Sequence, residues 1–281
     1  METNEQIKEA VRQKYSEIAL QDKATNEASC CGSGCCSTEV YNIMSDDYTT
    51  LEGYNPEADL GLGCGLPTQF AQIRPGYTVI DLGSGAGNDC FIARAEAGDT
   101  GKIIGIDFTP AMIDKARANA EKLGFNNVEF RQGDIEKMPV TANTADVIVS
   151  NCVLNLVPNK ENVFKEIYRV LKPGGHFSIS DVVLVGTLPD ALQHDAEMYA
   201  GCVSGAIQKE DYLGLIQRTS FINLAVQKQK TISIPDDILS RYLDADQLQE
   251  FKSGDTGIFS ITVFAQKPAE AGSCCGPDCC N

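Results

Sequence analysis

Apolar and polar positions alternate along the chain in two periods that trade places. Thr78–Leu82 is a short apolar run rich in β-branched residues, and after a glycine turn Asp89–Ala97 takes up helical spacing. The order repeats with the strand Lys102–Asp107 and the helix Pro110–Leu123, Pro110 being suited to the first helical position. Val128–Gln132 and Ala145–Ser150 read as third and fourth strands, Lys160–Leu171 as a helix, and Pro173-Gly-Gly as the turn into a fifth strand, His176–Asp181. Such alternation predicts an α/β fold, a mostly parallel sheet with helices on both faces.

The flanks read differently. Residues 1–20 bring Ile7, Val11, Tyr15 and Ile18 onto one helical face, whereas 21–39 are small, polar and cysteine-rich, as in a loop. An approach segment from Val40 ends in Leu60-Gly-Leu-Gly-Cys64-Gly. Beyond Val185 the alternation stops: helices are expected at Pro189–Ser204 and Lys209–Thr219, then strands at Ala225–Ile234 and Gly257–Gln266 around a helical Asp236–Leu243. The expected division is an N-terminal approach segment, 1–66, a central domain, 67–185, a smaller C-terminal α+β region, 186–267, and a disordered cysteine-rich tail, 268–281.

Composition narrows the function. The 281 residues carry a net charge of −16, which repels phosphate backbones and argues against a nucleic-acid partner. The polar start METNEQIKEAVRQK has no apolar leader core, and no run approaches the roughly 18 apolar residues of a membrane span, so a soluble cytoplasmic protein is expected. In a reducing compartment, twelve cysteines point to metal binding or redox work rather than to structural disulfides. Eight are paired, in Cys30-Cys31-Gly-Ser-Gly-Cys35-Cys36 and Cys274-Cys275-Gly-Pro-Asp-Cys279-Cys280; Cys64, Cys90, Cys152 and Cys202 stand singly.

Val79-Ile-Asp81-Leu-Gly83-Ser84-Gly85-Ala-Gly87 runs from a strand through a glycine turn into a helix, and Asp107 closes the next strand where a ribose-binding acid belongs. A dinucleotide fingerprint would need a third glycine where Asn88 stands. The stretch resembles instead the first motif of class I methyltransferases, with a Rossmann-like fold. Gly105-Ile-Asp107-Phe108, Met112, Gly133-Asp134-Ile135 and Leu171-Lys-Pro-Gly-Gly-His-Phe resemble later elements of the same family, in the same order. The resemblance implies S-adenosylmethionine as cofactor. It would be held by Asp81, Gly83, Ser84 and Gly85 at the turn, Asp107 on the ribose, and Phe108, Met112, Asp134, Ile135 and Asn151 around the remainder.

The acceptor must be read from other residues. Leu62-Gly-Cys64-Gly, Asn151-Cys152-Val-Leu-Asn155-Leu and Gly201-Cys202 around one cofactor domain resemble the arsenite methyltransferases, bacterial type, over nearly the whole chain. The resemblance implies trivalent arsenic held as a tris-thiolate by Cys64, Cys152 and Cys202. Cys30 or Cys31 would give electrons by closing a disulfide, and thioredoxin or glutathione would reset it. Cys64, in its glycine loop, is the expected optional ligand, and Cys90, His176 and His194 are expected to be structural. The paired clusters are open to zinc, to capture of metalloid, or to no essential role. Methylation of a small organic acceptor such as a quinone precursor, and a non-enzymatic metalloid scavenger, stand as the alternatives.

Overall fold

In the computed structural model the described residues are 3–21, 46–186, 205–232, 236–240, 242–253 and 257–269. They contain eight α-helices and seven strands. In chain order these are α1 (Asn4–Ala19), α2 (Pro67–Phe70), β1 (Thr78–Leu82), α3 (Asn88–Ala97), β2 (Lys102–Asp107), α4 (Pro110–Leu123), β3 (Val128–Gln132) and β4 (Ala145–Asn151). There follow α5 (Lys160–Val170), β5 (Leu171–Val185), α6 (Lys209–Arg218), β6 (Ile222–Thr231), α7 (Asp236–Leu239), α8 (Ala245–Ser253) and β7 (Gly257–Gln266). Pro110 opens α4 as expected, and Gly124, left-handed at φ 68°, ends it. The expected helix at Pro189–Ser204 lies outside the described residues, as do the tail from 270 and both paired-cysteine clusters.

One sheet holds all seven strands, in the order β3-β2-β1-β4-β5-β7-β6. The first five are parallel, and β7 runs antiparallel between β5 and β6. The two C-terminal strands expected of an appended α+β region therefore extend the central sheet. Ten residues of β7, Gly257–Gln266, pair with β5 in unbroken register. Sequence periodicity shows a strand but not its partner, which is why the extension was not legible.

Consecutive residues of the inner strands enter opposite cores, as a sheet buried on both faces requires. Ile80, Ile104 and Ile148 join a core with Phe164 of α5, Phe177 of β5 and Tyr212 of α6. Their neighbours Val79, Ile103 and Val147 join another with Phe91 of α3, Met112 of α4 and Ile18 of α1. A third cluster, smaller, contains Cys64 and Cys152 with Val11, Leu156, Val182 and Ile258. It lies beyond the carboxyl end of β4, the side on which ligands bind in open sheets of this kind.

Candidate active site

The glycine turn between β1 and α3 forms one wall of an open cleft. Gly83, Gly85 and Gly87 all have positive φ, 69°, 50° and 101°. Their surroundings differ. A Cβ at Gly83 would strike the side chain of Val153, and one at Gly87 would lie 2.9 Å from the rings of Phe91 and Phe130. A Cβ at Gly85 would meet no protein atom within 4 Å and would stand in the cleft.

Asp107 faces this turn from the end of β2. Its Oδ2 accepts the Gly85 N–H at 3.0 Å and its Oδ1 the Thr109 N–H at 2.8 Å, which fixes the carboxylate and leaves lone pairs on both oxygens. Met112, Phe108 and Ile135 give the cleft apolar walls, and Ser84, Asp134 and Asn151 line it as well. Asp134 is already engaged: its Oδ2 accepts from Lys8 of α1 at 2.7 Å and its Oδ1 from the Glu136 N–H at 2.8 Å. Lys8 and Tyr15 bring α1 over the cleft.

Asp81 departs from the expectation. It does not line the cleft; it is 2% exposed behind the turn, where its Oδ2 accepts from the Cys90 thiol at 3.3 Å. Cys90 is thereby core, fully buried. Asp89, in the first turn of α3 and not among the expected site residues, does line the cleft. Its Oδ2 accepts from the Tyr48 hydroxyl at 3.1 Å and from Asn151 Nδ2 at 3.2 Å, while its Oδ1 is buried with no partner among the described residues. Burial, with Asp59 nearby, raises Asp89 to about 6. Asp81 and Asp107 are also raised by burial, and Asp89 and Asp107 both push Asp81 further.

Asp59, Asp89, Asp107 and Asp134 line the cleft against one basic residue, Lys8, itself paired with Asp134 and Glu136. Such a cavity disfavours a pyrophosphate and favours a cation. S-adenosylmethionine carries two positive groups and one carboxylate. It suits this electrostatics.

Beside the cleft stand two of the three expected thiols. Asn151, the last residue of β4, accepts the Cys64 N–H at 3.0 Å on Oδ1 and donates from Nδ2 to the Gly65 carbonyl at 2.8 Å. Its Nδ2 also contacts the Tyr48 hydroxyl. Cys152 follows at once, left-handed at φ 60°, with its N–H donated to the Ser180 carbonyl at 2.8 Å. Cys64 is wholly buried and outside the cleft lining, whereas Cys152 lines the cleft. Gly63 is required for this approach, since a Cβ there would stand 2.7 Å from Asn151 Nδ2. Cys202, Cys30, Cys31 and His194 lie outside the described residues. His176 has a structural place: its Nε2 meets the Ala71 carbonyl at 2.6 Å, its ring lies 5.1 Å from Phe264, and burial lowers its pKa.

Residues 73–220 match a family model described as a methyltransferase domain. The arsenite methyltransferase of Halobacterium salinarum is 42% identical, covering 94% of this chain and 68% of its own length. The chain belongs to the arsenite methyltransferase family. The arsenite methyltransferase of Aquipseudomonas alcaligenes is 32% identical, over 90% of this chain and 70% of its own. Among solved structures, an arsenic(III) S-adenosylmethionine methyltransferase from Chlamydomonas reinhardtii superposes with a TM-score of 0.62 at 29% identity, covering 85% of this chain and 76% of that one. The family's methyltransferase fold accounts for the sheet order and the glycine-turn cleft. Among the described residues no helix is long and apolar enough to cross a membrane.

Two tests follow from this geometry. Gly85→Asn places a residue that tolerates left-handed backbone where its side chain meets only the cleft. The variant is expected to fold and to bind S-adenosylhomocysteine at least about tenfold more weakly by calorimetry, a loss of about 1.4 kcal/mol. Gly83→Val is expected to destabilise the fold itself, through Val153. Unchanged affinity in Gly85→Asn would remove the turn from the cofactor site.

The second concerns pH. Burial holds Asp89 at about 6 and, within β5, Asp181 at about 7, above the ~3.9 of an unfolded aspartate. The folded ligand-free protein therefore binds more protons than the unfolded one between those values. This stability is fully present below about pH 4 and is lost as pH rises through 6 and 7. His176, lowered by burial, opposes the trend below about pH 6.5. The calorimetric midpoint is expected to stand a few degrees higher at pH 5.5 than at pH 8. Asp181→Asn should remove most of the difference; a midpoint that falls steadily on acidification contradicts the raised carboxylates.

Proposed function

We propose that this chain methylates trivalent arsenic, arsenite and then methylarsenite, with S-adenosylmethionine as methyl donor, for arsenic detoxification. The observation that carries this reading is the placement of Cys64 and Cys152. Distant in sequence, they meet in one buried cluster beside a cleft whose charge suits a cationic cofactor. Cys202 is proposed as the third thiol.

Trivalent arsenic is soft, and thiolate is the soft ligand a protein offers. Arsenous acid and three thiols give a tris-thiolate and three waters, so no proton is left over and no general base is needed. The lone pair of the pyramidal arsenic remains exposed. When bound, the cofactor supplies an electrophilic methyl on a sulfonium sulfur, which arsenic's lone pair takes as the sulfur–carbon bond breaks. What the protein contributes is position: Cys152, fixed by its own backbone at the cleft wall, presents arsenic, and Asp107, Met112 and Phe108 fix the nucleoside.

The methylated arsenic is pentavalent. Cys30 or Cys31 can attack a sulfur bound to it, forming a disulfide while the arsenic–sulfur bonding pair stays on arsenic and returns it to the trivalent state. Thioredoxin or glutathione would then reduce that disulfide. Arsenic speciation by mass spectrometry, after incubation with cofactor and a thiol reductant, tests the whole reading. Methylated arsenic and a matching yield of S-adenosylhomocysteine are expected. Bound arsenic without cofactor consumption would make the protein a scavenger, and neither outcome with arsenite would return the acceptor to a small organic molecule.

Arsenite has three exchangeable positions, whereas methylarsenite has two, so one thiol should be dispensable in the second methylation. The structure changes the reason for choosing Cys64. Its loop is clamped and its side chain wholly buried, so mobility is not what distinguishes it. Cys152 lines the cleft and Cys64 does not. Cys152→Ser and Cys202→Ser are expected to lose both activities, and Cys64→Ser to lose arsenite methylation while keeping at least about a tenth of the methylarsenite rate, within about 1.4 kcal/mol of wild type. Initial rates on both substrates decide it. Survival of Cys152→Ser on either substrate refutes the division of labour.

A further inference from the structure

Buried hydroxyl side chains share one face of the β5–β7 pair. Ser178, Ser180, Ser260 and Thr262 are at most 5% exposed. Ser180 lies opposite Thr262 and Val182 opposite Ser260, so strand alternation puts them on the face where Val182, Leu184 and Ile258 join the apolar cluster of Cys64. A buried hydroxyl is costly unless it is bonded, so a patch of them within a core calls for a reason. The reason is the chain that crosses them. Ser260 Oγ donates to the Cys64 carbonyl at 2.5 Å, and Ser178 Oγ donates to the Pro67 carbonyl at 2.8 Å. Between these, Ser180 and Thr262 share a hydrogen bond at 2.9 Å under Gly65, where a Cβ would stand 2.5 Å from Ser180 Oγ.

Cys64 stands between Gly63 and Gly65, residues that leave a backbone unusually free. Its conformation is therefore imposed from outside, and at both ends. Asn151 Oδ1 takes the Cys64 N–H from the end of β4, while Ser260 takes up the Cys64 carbonyl from β7. With both backbone polar groups fixed, only rotation about Cα–Cβ remains to aim the sulfur. Resting on the arsenite reading, we propose that Ser260 is a positioning residue, which holds Cys64 where arsenite needs its thiol and so sets the preference for arsenite over methylarsenite. Arsenic already bonded to Cys152 gains its bond to Cys64 as the thiol's proton leaves with one arsenic hydroxyl, as water. The success of that step depends on where the sulfur points. Methylarsenite exchanges its two hydroxyls without Cys64, and is indifferent to the device.

Initial rates of the full chain on arsenite and on methylarsenite, each below saturation and under a phosphine reductant, give a ratio that measures this preference. Ser260→Ala removes the donor and is expected to lower the ratio of arsenite to methylarsenite rates about tenfold, the effect of one buried hydrogen bond. Lost stability would reduce the amount of folded enzyme and slow both substrates alike, so a merely structural role leaves the ratio where it is. Ser178→Ala supplies the control. It loses the companion bond to Pro67, in the same loop and on the same face, and its ratio should stay within about twofold of wild type. If Ser260→Ala does not fold, Ser260→Gly decides the matter, because it leaves room for an exchangeable water in place of the fixed donor; its ratio too should fall. An undiminished ratio in the folded Ser260 variant overturns the inference, as does an equal fall in Ser178→Ala, and either result leaves the arsenite reading standing. Wild-type protein that forms no S-adenosylhomocysteine with either substrate overturns that reading itself, and the inference with it.

Discussion

Much of this site hangs on what one amide does at the end of β4. Where the parallel sheet stops, the chain from Gly63 to Leu66 passes close to the strand ends with buried backbone that needs both a donor and an acceptor. Asn151 supplies both, to the Cys64 N–H and the Gly65 carbonyl, and so substitutes for a neighbouring strand. An aspartate could accept but not donate; a serine could not span both groups. Gly63 and Gly65 are the other half of the arrangement, because a Cβ on either would collide, with Asn151 in one case and Ser180 in the other. The next residue, Cys152, takes a left-handed conformation that ordinary side chains avoid, at a cost of about 1–2 kcal/mol. Two adjacent positions on a rigid strand thus place two thiols, one by its backbone and one through a neighbour's side chain.

Charge separates what the cleft admits from what it excludes. A net −16 and several buried carboxylates around the glycine turn repel phosphate and arsenate alike. Arsenous acid is neutral at physiological pH and is indifferent to that field, while the cofactor's ammonium and sulfonium are drawn by it. The same carboxylates are costly without a cation, which is why burial lifts Asp89 and Asp81 above the ordinary range. Part of the cofactor's affinity is then relief of a strain the ligand-free protein carries.

The sheet's first five strands, the glycine turn, Asp107 and Met112 were legible because each is a local matter: a period, a spacing, or a residue at a strand end. Cys64 and Cys152 were legible as a pair through family resemblance rather than through any physical signal in either residue. Asp81 was assigned to the cofactor by its place in the motif, and its burial behind Cys90 is a fact about packing that the motif does not contain. Asp89 and Tyr48 went unnoticed for a related reason. One is an acid in a helix's first turn and the other a tyrosine in a loop, and only the folded chain brings them together with Asn151 at the cleft wall. A cleft acid immediately after a glycine turn is a signal that could have found Asp89. Nothing comparable points to Tyr48.

On the proposed arsenic reading, holding two thiols in place before the metalloid arrives changes the energetics of capture. Once arsenic has bonded to Cys152, the second bond is intramolecular, and its effective concentration is set by how far Cys64 must move. A buried Cys64 on a clamped loop has little freedom left to lose, so the entropy of ordering it was spent in folding rather than in binding. Leu156, Val182 and Ile258 around the pair keep that spacing by packing. On that reading the preformed pair lets a neutral substrate be captured without the cost of ordering both of those ligands.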